Sequence, residues 1–140
     1  MTQPKISVVM PVYNAGRFLD PAIGSIVSQT FADFEFVIVD DRSTDGSVEH
    51  LRQWVRQDDR IRLFENEERQ GHSRTSNHGV SLARAKYVAR MDADDISHPE
   101  RLAGEWQVMS RSADVVLVGT LADGIDAEGR RVFGQILDAS

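Results

Sequence analysis

Two segments of this chain read as strands with no wet face. "ISVVMP" (6–11) runs without apolar–polar alternation and closes on a proline, and "FEFVIV" (34–39) is a second such run. Strands covered on both sides belong to a parallel sheet packed between helices, because a half-solvated antiparallel strand would alternate. The intervening segments meet that demand. Leu19, Ile23, Ile26 and Val27 fall on one helical stripe, with Pro21 tolerable only in its first turn. Val48, Leu51 and Val55 mark a second helix. "IRLF" (61–64) predicts a third strand, and "NHGVSLARAKYV" a helix that ends near Ala85 and passes into the strand "YVARM" (87–91). "SHPERLAGEWQVM" opens a fourth helix, with Ser97 and Glu100 at capping-box spacing and Pro99 in the first turn. "DVVLVG" (114–119) predicts a fifth strand, and "DAEGRRVFGQIL" a turn into a last extended piece. Strict β–α alternation implies right-handed crossovers. The expected fold is one α/β domain over 1–140: three layers, α/β/α, around a mostly parallel, Rossmann-like sheet.

The bulk properties narrow the function classes. A formal charge of −6 opposes a nucleic-acid-binding surface, which needs clustered Lys and Arg to neutralise phosphates. The absence of cysteine excludes disulfides, thiolate zinc sites and a cysteine nucleophile. No apolar run approaches the roughly 18 residues of a membrane span, and "MTQPKIS" has no signal-peptide core. A soluble cytoplasmic protein is expected, with peripheral membrane association open through segments outside this chain.

Ligands of open α/β sheets bind beyond the carboxyl ends of the strands, and three features of this sequence fall there. Strand one ends in "PVYN", strand two in "DDRSTDGS", strand four in "MDADD". Asp92, Asp94 and Asp95 put three acids in four residues, a pattern that solvation of a strand end and precapping of the helix near Ser97 would also explain. Two carboxylates about 5 Å apart repel by roughly 3 kcal/mol at an effective dielectric of 20, a cost that a cation relieves. Carboxylate oxygens suit Mg²⁺ or Mn²⁺, which keep waters and bridge to substrate phosphates. Ser43, Thr44, Asp45 and Ser47 are explained as caps of the second helix and Gly46 as its turn, but capping does not explain Asp40 and Asp41. An acid there can accept hydrogen bonds from a nucleoside. Tyr13 could lie against a base, although packing alone would also account for it, and Asn14 fits a turn. No G-x-G-x-x-G loop is present, which opposes a dinucleotide site.

"ISVVMPVYN…SIVSQTFADFEFVIVDDRSTDGS…GHSRTSNHGVSLARAKYVARMDADDISHPERL" resembles the GT-A glycosyltransferases of family 2, from about Ile6 to Leu102, with a looser continuation through "VVLVGTLADGIDAEGRRV". The resemblance implies an inverting sugar transferase that uses a nucleotide-diphosphate donor, often a UDP-sugar, with Mg²⁺ or Mn²⁺. The acceptor would be a glycan, a lipid-linked species or another hydroxyl compound. By motif position Pro11, Val12 and Tyr13 would line the base pocket, and Asp41 would hydrogen-bond the base with Asp40 beside it. Asp94 would be the principal metal ligand. Asp92 would reach the ribose or the metal shell, and Asp95 would orient them or help bind the donor sugar.

Two departures qualify what the resemblance implies. Where the family usually has an Arg–Asn pair, this chain has Ser76 and Asn77, so Arg74 is assigned to the phosphates in its place. The family's general base lies in a later, acceptor-binding half that these 140 residues do not include, so no catalytic base is named. Asp123, Asp126 and Asp138 read as surface or turn acids. The chain is therefore expected to be either the N-terminal donor-binding portion of a longer enzyme or a naturally short relative, binding metal–nucleotide weakly and transferring sugar poorly or not at all.

Other readings fit less well. A receiver domain would need its acid pair after strand one and a Lys after strand five. A nucleotidyltransferase would need a glycine-rich basic loop after strand one. A non-catalytic nucleotide-sugar-binding module stays open. Trp54 and Trp106 read as core residues, His72 and His78 as solvated residues near the phosphates, His50 and His98 as surface residues, and "RQDDRIR" (56–62) as a charged turn.

Overall fold

The computed structural model describes residues 3–134. They run in the order β1 (Ile6–Val12), a 3-10 turn (Gly16–Phe18), α1 (Leu19–Val27), β2 (Phe34–Asp40), α2 (Ser47–Gln57), β3 (Ile61–Glu65), α3 (His72–Ser81), β4 (Tyr87–Arg90), α4 (Arg101–Arg111), β5 (Asp123–Ile125) and β6 (Arg131–Gly134). The chain divides into two compact units, Met1–Ala103 and Gly104–Ser140.

In the first unit four parallel strands lie in the order β3-β2-β1-β4. β1 and β2 are buried at every position, as runs without alternation require. The order reverses at β1. Right-handed crossovers therefore put α1 and α2 on one face and α3 on the other, the expected three layers. Val9, Val37 and Val39 form the core on the α3 face, with Phe64 and Leu82 packed against it. Val8, Met10, Phe36 and Ile38 point to the opposite face by strand alternation, and all are fully buried.

α3 begins at His72 and ends at Ser81, earlier at both ends than the helix predicted from "NHGVSLARA", which reached Ala85. Its buried residues are Thr75, Ser76 and Gly79. This helix packs by close approach, not by a wide apolar stripe. A Cβ on Gly79 would stand 2.5 Å from Val9 Cγ1 and 3.3 Å from Val39 Cγ2. Gly79→Ala therefore gains helix propensity but overpacks the sheet. We expect a net loss of about 1–3 kcal/mol, read as a lower urea midpoint at unchanged slope.

Several predicted details fail for local reasons. The 114–119 segment is not a strand: Val116 and Leu117 are 88% and 84% exposed, and the segment has no ladder partner among the described residues. An apolar run becomes a strand only where another strand takes its backbone groups. The second unit instead carries an antiparallel β5–β6 pair. Its turn is tied by Asp126, which accepts the N–H groups of Glu128 and Arg130, while Asp123 pairs with Arg131. The rest of the predicted last extended piece, and Asp138 with it, lies outside the described residues.

The Ser97–Glu100 capping box is not formed either. α4 starts at Arg101. The Ser97 N–H goes to Ser25 Oγ, the Glu100 N–H goes to His98 Nδ1, and Pro99 lies in the turn before the helix. Trp54 and Trp106 are half-buried, not core. Trp54 Nε1 donates to Asp20 at 2.8 Å, so its polar edge stays at the surface. The charged turn at 56–62 is held by Asp58, which takes both the backbone N–H and the guanidinium of Arg60. Among the described residues no helix is long and apolar enough to cross a membrane.

Candidate functional site

The carboxyl ends of β1, β2 and β4 meet the N-terminus of α3 around a cavity of about 580 Å³. Pro11 and Val12 close β1, and Tyr13 and Asn14 follow as the chain turns away; Asn14 has φ 48, a left-handed conformation that Asn tolerates. This turn is clasped to the one after β2. Asn14 N–H donates to Ser43 Oγ at 2.9 Å, Thr44 N–H to Asn14 Oδ1 at 2.8 Å, and Gly16 N–H to Asp45 Oδ2 at 2.9 Å. Thus "STDGS" serves the neighbouring loop as well as the start of α2.

Asp41, 2% exposed, organises the wall between β2 and α3. Its Oδ1 accepts from Asn66 Nδ2 at 2.8 Å and Gln70 N–H at 2.7 Å, and its Oδ2 from Gly71 N–H at 2.8 Å. Burial alone would raise its pKa, but these donors outweigh it and hold the carboxyl below the usual range. Gly71 adopts φ 82, which a side chain would strain, and this directs its N–H at Asp41. Asn66 also donates to Thr75 Oγ1 and faces His78 Nδ1 through its Oδ1. The 66–71 segment is fastened at both ends.

At the other end of the cavity stand Asp92 and Asp94, either side of Ala93. His72 Nε2 lies 3.2 Å from Asp92 Oδ1, and the Arg90 guanidinium lies 3.8 Å away. Partial removal from water, and then the charges of Asp92 and Asp94, raise the pKa of Asp95. The acids therefore crowd one another. Among the described residues no three His, Cys, Asp or Glu side chains form a metal-holding group. The donor set is two aspartates, all oxygen and open to solvent. That fits an ion such as Mg²⁺ or Mn²⁺ which takes its remaining ligands from water and phosphate, and does not fit a protein-enclosed metal.

Of the residues singled out from sequence, Pro11, Val12, Tyr13, Asp41, Asp92 and Asp94 line this one cavity. Asp40 sits behind the wall, 1% exposed; its Oδ2 accepts the Ser43 N–H, and its Oδ1 has no partner. Arg74 lines a second cavity, of about 540 Å³, with Asn66, Glu67, Glu68, Gln70 and His78. Asn77 and Asp95 are exposed and line neither. The sequence reading passed over Arg69, whose guanidinium lies over the Tyr13 ring. It also passed over Thr75 and Gly71, and set His72 aside. The glycine before a predicted helix was the available signal for Gly71. Nothing local marks Arg69.

Comparison with known proteins gives a consistent result. The family model for glycosyl transferase family 2 matches residues 7–134. The putative glycosyltransferase EpsE of Bacillus subtilis is 34% identical over 137 residues, 95% of this chain and 49% of EpsE. The glycosyltransferase GlyG of Streptococcus pneumoniae is 37% identical over 129 residues, 91% of this chain and 42% of GlyG. The chain thus spans less than half the length of these relatives. Among solved structures, S. aureus TarS 1–349 in complex with UDP-GlcNAc superposes with a TM-score of 0.71 at 26% identity, covering 76% of this chain and 31% of that 1–349 fragment. The mannosyltransferase PcManGT from Pyrobaculum calidifontis, in complex with GDP-Man and Mn²⁺, gives a TM-score of 0.71 at 26% identity over 78% of this chain and 33% of that protein. With a family match over nearly its whole length and relatives at 34% and 37% identity, the chain belongs to glycosyl transferase family 2.

Proposed function

We propose that this chain is the nucleotide-sugar-binding portion of an inverting glycosyltransferase that uses a nucleoside diphosphate sugar, a UDP-sugar in the first instance, and an acceptor hydroxyl on a glycan or lipid-linked molecule. One observation carries the reading: a single cavity joins an aromatic at the end of β1, an acid after β2 and two acids after β4. Its two ends differ as a nucleoside diphosphate does. Tyr13, Pro11 and Val12 offer a face for a flat base, and Asp41 stands beside them. Asp94, with Asp92 next to it, holds Mg²⁺ or Mn²⁺, and Asp92 also reaches the ribose. When bound, the metal neutralises the diphosphate and stabilises it as leaving group. Asp40 acts from behind by holding the Ser43 N–H, and Asp95 through the charge it shares with Asp92 and Asp94. Arg74 and Asn77 lie beyond the cavity and would meet only parts of a donor that extend past it. The setting we propose is the cytoplasm.

Calorimetric titration of the chain with UDP and GDP, with Mn²⁺ and then with EDTA, tests this. Saturable binding that strengthens with Mn²⁺ is expected. No binding of either nucleotide in Mn²⁺ would remove the proposal.

A further inference from the structure

Arg69 lies on the segment between β3 and α3, and its guanidinium carbon stands 3.9 Å from the centre of the Tyr13 ring. Both side chains line the cavity that Asp41 lines. Elsewhere in the first unit Arg52, Arg60, Arg62 and Arg84 each hold a carboxylate. Arg69 does not. Among the described residues its guanidinium has the Tyr13 ring and neither a hydrogen bond nor an ion pair, although Glu67 and Glu68 are its near neighbours in sequence. Glu68 instead accepts from Gln70 Nε2 at 3.1 Å. A planar cation with unspent N–H donors thus rests on an aromatic ring at the wall of the cavity.

Its placement is built, not incidental. Asp41 takes the N–H groups of Gln70 and Gly71, the two residues that follow Arg69, and the Asn66 amide three residues before it. Those protein donors occupy most of the Asp41 acceptor capacity, since a carboxylate offers about four positions. Asp41 therefore works in part as a positioning residue for the segment that carries Arg69. The group left to discriminate between ligands is the guanidinium.

We propose that Arg69 selects the base of the bound nucleotide, an inference that rests on the nucleotide-binding reading above. Arginine donates hydrogen bonds and never accepts them. Beside a base lying against Tyr13, it satisfies a carbonyl at position 4 of a pyrimidine or position 6 of a purine. Uracil and guanine carry that carbonyl. Cytosine and adenine carry an amino group there, which sets donor against donor and leaves both unpaired. The substrate class is accordingly a nucleotide whose base bears a carbonyl at that edge. Specificity then arises from a residue outside the acidic motifs.

Competitive binding of UDP, GDP, CDP and ADP to the full chain in Mn²⁺ tests the proposal, with Arg69→Met and Arg69→Lys alongside. Both changes are at an exposed position, so the fold is expected to survive, and far-UV circular dichroism checks it. The wild-type chain should favour UDP and GDP over CDP and ADP by about tenfold or more. Arg69→Met should reduce that preference to within about threefold while leaving the UDP-to-UMP affinity ratio unchanged. Arg69→Lys should retain part of it. Equal binding of all four nucleotides by the wild type overturns the proposal, as does an unchanged preference in Arg69→Met. A loss that grows from uridine to UMP to UDP also overturns it, because Arg69 would then serve the phosphates. If the wild type binds no nucleotide, the nucleotide-binding reading itself fails; if it binds without base preference, only this inference does.

Discussion

Asp94→Asn should weaken Mn²⁺-dependent binding of UDP by about a hundredfold, a loss at the upper end of what even supporting groups around a metal cost when removed. The reason is the sparseness of the site. Among the described residues no third acid joins Asp92 and Asp94 in a metal-holding group, so on the proposed reading removing one carboxylate would halve the protein's share of the metal's ligands. The sign of the effect without metal is the discriminating readout. In EDTA the same variant should bind UDP no worse than the wild type, and slightly better, because one of the charges crowding this end of the cavity is gone. A general weakening in both conditions would mean that Asp94 shapes the cavity without holding a metal. Calorimetry in the two buffers separates the outcomes.

The second large effect lies near the amino-terminal ends of the strands, away from the cavity. Glu35 is 2% exposed and accepts from four donors: Ser7 Oγ at 2.6 Å, the Arg84 N–H and Nε at 2.6 and 2.7 Å, and the Arg62 guanidinium at 2.8 Å. Ser7 in turn accepts the Ala85 N–H at 3.0 Å. One carboxylate thus joins β1, β2 and β3 to the turn that delivers β4. Glu35→Ala leaves these donors unpaired. The expected cost is about 3 kcal/mol, the lower end for a broken buried pair, because Arg62 and Arg84 still reach water. For a chain of this size that is a fall of about 10 °C in Tm.

The pH dependence gives a second readout. Burial would raise the Glu35 pKa, but Ser7, the Arg84 backbone and both guanidinium groups outweigh it and hold the pKa below the ordinary value. A lowered folded-state pKa contributes stability above the unfolded value of about 4.3 and loses it as pH falls through the folded value. The gap in stability between wild type and Glu35→Gln should therefore be full at pH 7 and should narrow below about pH 4. A gap that stays constant down to acid would show that Glu35 acts through shape alone.

What could be read beforehand follows from where the physics is local. β1 and β2 were legible because burial on both faces leaves a contiguous apolar trace, and the acids at the ends of β2 and β4 stood out by their clustering, although Asp40 proved to serve a local turn by holding the Ser43 N–H. The start of α3 was not legible. "HSRTSNH" shows no apolar stripe, and the helix buries only Thr75, Ser76 and Gly79, with Gly79 seated against Val9 and Val39. The 114–119 run had the composition of a strand, but a ladder partner is not a property of the run itself. Arg69 was invisible for a related reason: its place over Tyr13 is set by Asp41, Gln70 and Gly71, hydrogen bonds that span about thirty residues of sequence.

The close seat of Gly79 on Val9 and Val39 has a reach beyond packing. α3 is a stiff rod with its fulcrum near one end and its first residue at the cavity. From Gly79 back to His72 is seven residues, or about 10 Å of helix at 1.5 Å per residue. A side chain wedged under the fulcrum tilts the rod, and the tilt is magnified where Thr75 and His72 line the cavity. Alterations of this glycine, or of the two valines beneath it, should therefore register as changes in ligand affinity with every residue of the cavity left intact. A search for such remote lesions should begin under the helix, not around its mouth.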